Sequence, residues 1–321
     1  MFQTLSQKLA HERCLDQSRA DRAAWCEEHV YKATIRQFAN GVEISVKDIH
    51  QERLKRAALP EVPIHLQELK ERTEEEQQER DEENRRRAGR RAKQTVRWLL
   101  KSMQADHLLT LTYRDIVDDI EVVKGHWQRF VRLVRKRYPK WQYVCVQELQ
   151  ERGSWHMHIA IRGRGDVYWL RRCWLMSLGH RVHVTYDADG KKRLLVEVED
   201  NGHWRQALPS EVAGNIDLRG PAKRFGGHGA SWKTEKLAAY MTKYIAKTFE
   251  EKASGRRYWP SKEIRRPEVQ KIWLQAQDWR DAVKECHDKA RHLYSCATLH
   301  IWASDDLGRI WVSGSEVVCP F

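Results

Sequence analysis

The segment Gly153-Ser154-Trp155-His156-Met157-His158-Ile159-Ala160-Ile161 alternates as a β-strand does. Trp155, Met157, Ile159 and Ile161 point one way, and His156 and His158 point the other with Ser154 and Ala160. Two imidazoles two residues apart on the less apolar face can bind one metal ion from the same side. The plain alternative is a pair of polar residues on a half-buried strand.

Further along, Tyr240-Met-Thr-Lys243-Tyr244-Ile-Ala-Lys247 lies in a stretch with helical periodicity. At 100° per residue, Ala238, Met241, Ile245 and Phe249 form a narrow apolar stripe, and Tyr240, Tyr244, Lys243 and Lys247 fall opposite it. Helical tyrosines are usually packing residues with a tethered hydroxyl. These two lie one turn apart, away from the stripe, beside two ammonium groups. A phenol oxygen can attack phosphorus and keep a nucleic-acid strand as an ester, and a nearby cation favours its phenolate.

Joined, the two stretches specify a phosphoryl-transfer site. A metal ion on His156 and His158 would polarise the scissile phosphate, and the lysines would offset its charge. A third protein ligand is expected. Glu148 is the choice, because a hairpin turning about Arg152 sets it opposite His156 on the same face; Glu151, in the turn, is the competitor. A His₂-carboxylate set with open positions accepts Mg²⁺ or Mn²⁺; Zn²⁺ would bind too, but nothing marks it as the working ion.

In chain order these residues are Leu109-Thr110-Leu111-Thr112, then Glu148, then Arg152-Gly153-x-x-His156-Met157-His158, then Tyr240-x-x-Lys243-Tyr244-x-x-Lys247. That order resembles the three motifs of the HUH endonucleases, the rolling-circle replication initiators. It is most similar to paired-tyrosine replication-associated proteins of single-stranded DNA phages, over residues 90–250. The resemblance implies a nickase and strand transferase acting on single-stranded DNA at a replication origin, with host helicase and polymerase as partners. Tyr240 would attack first, leaving a 5′-phosphotyrosyl link and a free 3′-OH, and Tyr244 would make the second attack. Lys243 and Lys247 would steady phosphate and phenolate, and Thr110 and Thr112 would be chiefly structural. Mobilisation relaxases place their tyrosine ahead of the histidines; here it follows them.

The surrounding composition suits this. The chain has 321 residues and a formal net charge of +13, which points to a polyanionic partner, nucleic acid before membrane. No apolar run reaches the ~18 residues of a membrane span, and Met-Phe-Gln-Thr-Leu-Ser-Gln-Lys lacks a secretory apolar core, so a cytoplasmic protein is expected. The 7 cysteines are scattered without a Cys-x-x-Cys pair, which argues against a disulfide scaffold or zinc ribbon. Fourteen tryptophans leave some for stacking on bases. There is no Gly-x-x-x-x-Gly-Lys-Ser/Thr, so unwinding a duplex would need another protein.

The elements that must position these residues follow. A helical N-terminal region is expected over 1–65, helical across 4–39 with a short strand at 42–46. A long charged helix follows over 66–104, acidic then basic, for which a solvated face laced with i,i+4 pairs is the simplest reading. The endonuclease domain is expected over 105–250, α+β, with strands at 108–113, 142–149, 155–162, 181–186 and 192–199 and helices at 126–138 and 168–178. That β-α-β-β-α-β run is the ferredoxin-like pattern on an antiparallel sheet. A further strand near 215–218 and the tyrosine helix, 233–250, complete it. Residues 251–321 read as a helix (266–290) and a hairpin (298–303, 309–312).

Other readings share parts of this signal. A single-strand HUH transposase uses the same chemistry at a transposon end. A non-catalytic single-strand-binding protein could use the same sheet, but strands 108–113 and 155–162 lack exposed aromatic pairs. A structural metal protein would want paired cysteines.

Overall fold

The computed structural model describes residues 30–50, 74–220, 234–250, 258–293, 297–304 and 309–316. The chain forms two compact units, one of residues 1–71 with 267–321, the other of residues 72–266.

The first unit begins with a hairpin, β1 (Tyr31–Phe38) and β2 (Gly41–Asp48), paired antiparallel from Tyr31↔Asp48 to Phe38↔Gly41. Helix was expected up to residue 39, and the chain is strand from 31 instead. Tyr31, Ala33 and Ile35 are buried at a period of two, matching Val42, Ile44 and Val46 across the hairpin, and that pairing overrides the helical spacing. Residues 4–29 of that expected helix lie outside the described residues.

The second unit opens with α1 (Glu74–Met103). Its first half is exposed and carries Arg86–Glu82 and Arg87–Glu83 pairs at i,i+4, the solvated face the sequence implies. Its second half buries Ala92, Val96, Leu99, Leu100 and Met103 at spacings of three and four. There follow β3 (His107–Tyr113), α2 (Ile120–Arg135), β4 (Tyr143–Leu149), β5 (Trp155–Ile161) and α3 (Val167–Ser177). Both helices start on an aspartate, Asp119 accepting from the Glu121 N–H and Asp166 from the Trp169 N–H. Then come β6 (Arg181–Tyr186), β7 (Lys192–Asp200), β8 (His203–Gln206), β9 (Gly214–Arg219), α4 (Thr234–Glu250) and β10 (Tyr258–Pro260).

The main sheet has the order β10-β4-β5-β3-β9, antiparallel throughout. Its four longer strands and two crossover helices give an α+β, ferredoxin-like arrangement. One sequence-based placement changes. The strand that completes the motif beside β3 is β9, and 181–186 pairs instead with β7 and β8 in a separate three-stranded sheet.

The sheet is packed on both faces. Leu109, Leu111, Met157, Ile159 and Ile161 join Trp127, Phe130 and Val134 of α2 and Leu170 and Trp174 of α3. Leu108, Val144, Val146 and Ala160, from the alternate positions, pack with the buried stripe of α1 and with Leu237, Ala238, Met241 and Ile245 of α4. Each large apolar side chain fully buried here contributes ~1.5–3 kcal/mol. Because α1 and α4 cover the same face that carries His156 and His158, the tyrosine helix is brought to the histidine strand by ordinary core packing.

The chain then returns to the first unit with β11 (Glu268–Trp273), α5 (Trp279–Leu293), β12 (Ala297–Ser304) and β13 (Arg309–Glu316). Helix was expected from 266; residues 268–273 are a strand paired with β1, and the helix starts only after Asp278, which accepts the Asp281 N–H. The sheet order is β11-β1-β2-β13-β12, so the final hairpin docks on β2. Ala282, Cys286 and Ala290 of α5 pack on one face against Ile44, Val46, Ile310 and Val312. Cys145, Cys173 and Cys286 are free thiols in the cores. Among the described residues no helix is long and apolar enough to cross a membrane.

Candidate active site

The β4–β5 hairpin sets the first part of the geometry. Pairing aligns Glu148 with His156 and Val146 with His158. Gly153 turns the chain at φ +82°, a conformation that favours glycine. The Arg152 guanidinium donates to the Tyr113 and Arg114 carbonyls and to Gln150 Oε1, which ties the turn to the end of β3. Thr112, Tyr113, Glu148, Gln150, Glu151, Arg152 and His156 line an open depression of about 600 Å³.

His158 is held from three sides. Its Nε2 lies 2.9 Å from Glu148 Oε2 and its Nδ1 3.5 Å from Thr110 Oγ1. Its ring stacks on that of Tyr244, centroids 4.0 Å apart and planes 18° from parallel. Tyr240 stands edge-on to His158 at 6.3 Å, and the Tyr244 hydroxyl donates to the Tyr240 oxygen at 2.5 Å. Phenols and imidazole therefore form one packed cluster, with the His158 and Glu148 side chains only 7% and 13% exposed.

The electrostatics divide the roles. Burial pushes the Tyr244 phenol well above its ordinary range, and the hydrogen bond to Tyr240 and the charges of Tyr240 and Glu148 add to this. Tyr244 is thus a proton donor, and the oxygen it donates to is that of Tyr240. The His156 imidazole is pushed down to about 4 by burial, by His158 and by Arg152, against the opposing pull of Glu148. It is neutral at ordinary pH, as a metal-ligating imidazole must be.

Among the described residues no three His, Cys, Asp or Glu side chains converge as a ready-made metal set. The His156 and His158 ring centroids are 6.3 Å apart, and Glu148 closes directly on His158. The donors nonetheless suit a divalent ion. The 2.9 Å between Glu148 Oε2 and His158 Nε2 is close to the ~3.0 Å between neighbouring ligand atoms around an ion with bonds of ~2.1 Å at right angles. Glu151 is exposed in the turn and lines the depression, without the contact to His158 that Glu148 makes. Lys243 is exposed on α4, and the Lys247 side chain lies outside the described residues.

Two further residues join the cluster from β9. Asp217 pairs with Thr110, which pairs in turn with His158, so one row of side chains crosses three strands. Arg219, its Nε 2.7 Å from Asp217 Oδ2, brings its charge within reach of both Tyr240 and Tyr244. The signal was the alternation Asn215-Ile-Asp217-Leu-Arg219, polar on one face. It points to this site only once β9 is known to be the neighbour of β3.

Residues 106–249 match the model of a family of replication-associated proteins, the ORF2 family. The matched segment runs from the start of β3 to the end of α4, and so holds the histidine strand, Glu148, Arg219 and both tyrosines. It supports a replication-associated protein. No curated protein and no solved structure matches the chain.

Proposed function

We propose that this replication-associated protein is a rolling-circle initiator of the HUH endonuclease type, a metal-dependent nickase and strand transferase acting on single-stranded DNA. The observation that carries the reading is the packing of the Tyr240–Tyr244 pair against His158, itself joined to Glu148. Phenols built only for packing would not need to share an oxygen–oxygen hydrogen bond at the edge of a depression lined by Glu148 and His156.

In the first step the Tyr240 oxygen attacks the scissile phosphorus. A P–O bond to tyrosine forms, the bond from phosphorus to the 3′-oxygen breaks, the phenolic proton leaves, and the 3′-oxygen gains a proton to become a free hydroxyl. The 5′ end stays on the protein as a phosphotyrosyl ester. Tyr244 donates to the Tyr240 oxygen and so stabilises the charge of the phenolate. Arg219 adds a positive charge near both phenols. His156, His158 and Glu148 would hold Mg²⁺ or Mn²⁺, which when bound withdraws charge from the non-bridging phosphate oxygens. After one round Tyr244 makes the second attack, and the released 3′-hydroxyl displaces Tyr240 from its ester to close a circle.

The test is direct. Full-length protein with Mn²⁺ and origin-bearing single-stranded DNA is expected to give an SDS-resistant adduct that EDTA prevents. An adduct formed equally well in EDTA removes the metal from the mechanism, and no adduct on any origin strand of the element removes the nickase.

A further inference from the structure

We propose that the first unit carries a binding platform for single-stranded DNA, on the sheet face opposite α5. The strand registers lay its side chains out in rows. One row runs Trp273, Lys32, Lys47, Arg309, and the next runs Lys271, Thr34, Ser45, Trp311, Trp302. These positions alternate with Ala33, Ile35, Ile44, Val46, Ile310 and Val312, which bury themselves against α5. The two rows thus hold three tryptophans and four cations, and no carboxylate. The acidic residue of the next row, Glu43, is buried opposite Arg36.

A core face would hide such rings, yet Trp302 is 49% exposed, and Lys47, Lys271 and Arg309 are exposed as well. Trp302 pairs directly with Trp311 across the β12–β13 ladder, giving two adjacent indoles. At the other edge the Lys32 ammonium lies 4.6 Å above the Trp273 ring, so that ring face already receives a cation. From β11 to β12 the platform spans four strand spacings, about 19 Å.

The chemistry selects the occupant. Flat indoles among cations match a strand whose bases are unpaired: each base offers a π-face, and each phosphate a negative charge. A duplex hides its base faces, leaving the tryptophans nothing to stack on. An acidic peptide would satisfy the lysines but offers no row of planar groups. The platform goes beyond the nickase reading and needs no cleavage to operate.

The experiment is fluorescence anisotropy of a labelled, unstructured oligothymidylate with full-length protein in EDTA, at two salt concentrations. Trp302→Ala is expected to weaken binding about tenfold, and Trp302→Phe, which keeps a stackable ring, to stay within about threefold of the parent. The double variant Lys271→Glu/Arg309→Glu is expected to bind at least tenfold more weakly with a shallower salt dependence. Affinities unchanged in both the alanine and the charge variants overturn the platform. So does an equal loss in the Phe and Ala variants, or a loss as large for duplex as for single strand. Thermal melts of each variant identify any that fail to fold. Adduct formation in Mn²⁺ at saturating DNA, followed in parallel, reports on the nickase separately: the platform can fail with the adduct intact, and the reverse.

Discussion

His158 and Tyr244 lie ring on ring, 4.0 Å between centroids. The imidazole that Glu148 holds and the phenol that donates to Tyr240 are therefore one packed unit, and disturbing either moves both the candidate metal ligands and the nucleophile.

Glu148 tests that unit from the metal side. Glu148→Ala removes the acceptor at His158 Nε2 and is expected to cost about 1–3 kcal/mol in urea unfolding. Glu148→Gln keeps an acceptor oxygen and is expected to fold nearly as well while raising the Mn²⁺ concentration needed for adduct formation at least tenfold. An unchanged Mn²⁺ requirement in Glu148→Gln would exclude this carboxylate as a ligand and turn attention to Glu151.

The histidine pair and the tyrosine helix were legible in the sequence because both periodicities are local. A period of two puts His156 and His158 on one face wherever the strand pairs, and a turn of 3.6 residues puts Tyr240 above Tyr244. The Glu148–His156 register was legible for the same reason, since a tight hairpin fixes it. Partners chosen at long range were not. Residues 181–186 read as well for the fourth core strand as 214–219 do, and only packing beside β3 decides for β9. The first unit was hidden further still, because β1 and β2 find their outer neighbours, β11 and β13, at the far end of the chain. Alone, Tyr31, Ala33, Ile35 and Phe38 are compatible with helix as well as strand.

Acid should act through His156. In the folded chain this imidazole takes its proton only near pH 4, and in the unfolded chain near 6.5. Between those values the unfolded chain binds more protons, so stability falls as pH is lowered from about 6.5 to about 4 and changes no further through this group below that. Urea midpoints of metal-free protein at pH 7, 5.5 and 4.5 are expected to fall in that order, and His156→Asn to flatten the trend. Identical slopes for parent and variant would contradict the assignment.

Arg219 is expected to act on the reaction more than on the fold. Its guanidinium is held by Asp217 and faces both phenols, so Arg219→Ala should slow single-turnover adduct formation about tenfold with little change in thermal midpoint. Arg219→Lys should recover part of the rate. A variant as fast as the parent across the pH range would remove Arg219 from the site.

Gly214 lets β9 approach β3. A Cβ there would sit 2.5 Å from the Thr112 carbonyl oxygen and 2.8 Å from Trp174 Nε1, and neither can swing aside, because Trp174 Nε1 donates to that same oxygen. Gly214→Ala is expected to lose about 1–3 kcal/mol of stability and to slow adduct formation by displacing Arg219. A melting curve indistinguishable from the parent would mean that β9 does not pack as described.

The central claim is that Tyr240 is the nucleophile and that Tyr244, stacked on His158, supports it. Protein linked to origin DNA after a single turnover can be digested with nuclease and trypsin and sequenced by mass spectrometry. The account predicts a nucleotide 5′-phosphate on Tyr240, with no adduct in Tyr240→Phe and a slower one in Tyr244→Phe. First-turnover label on Tyr244 with Tyr240 unmodified, or label on neither tyrosine, would contradict it.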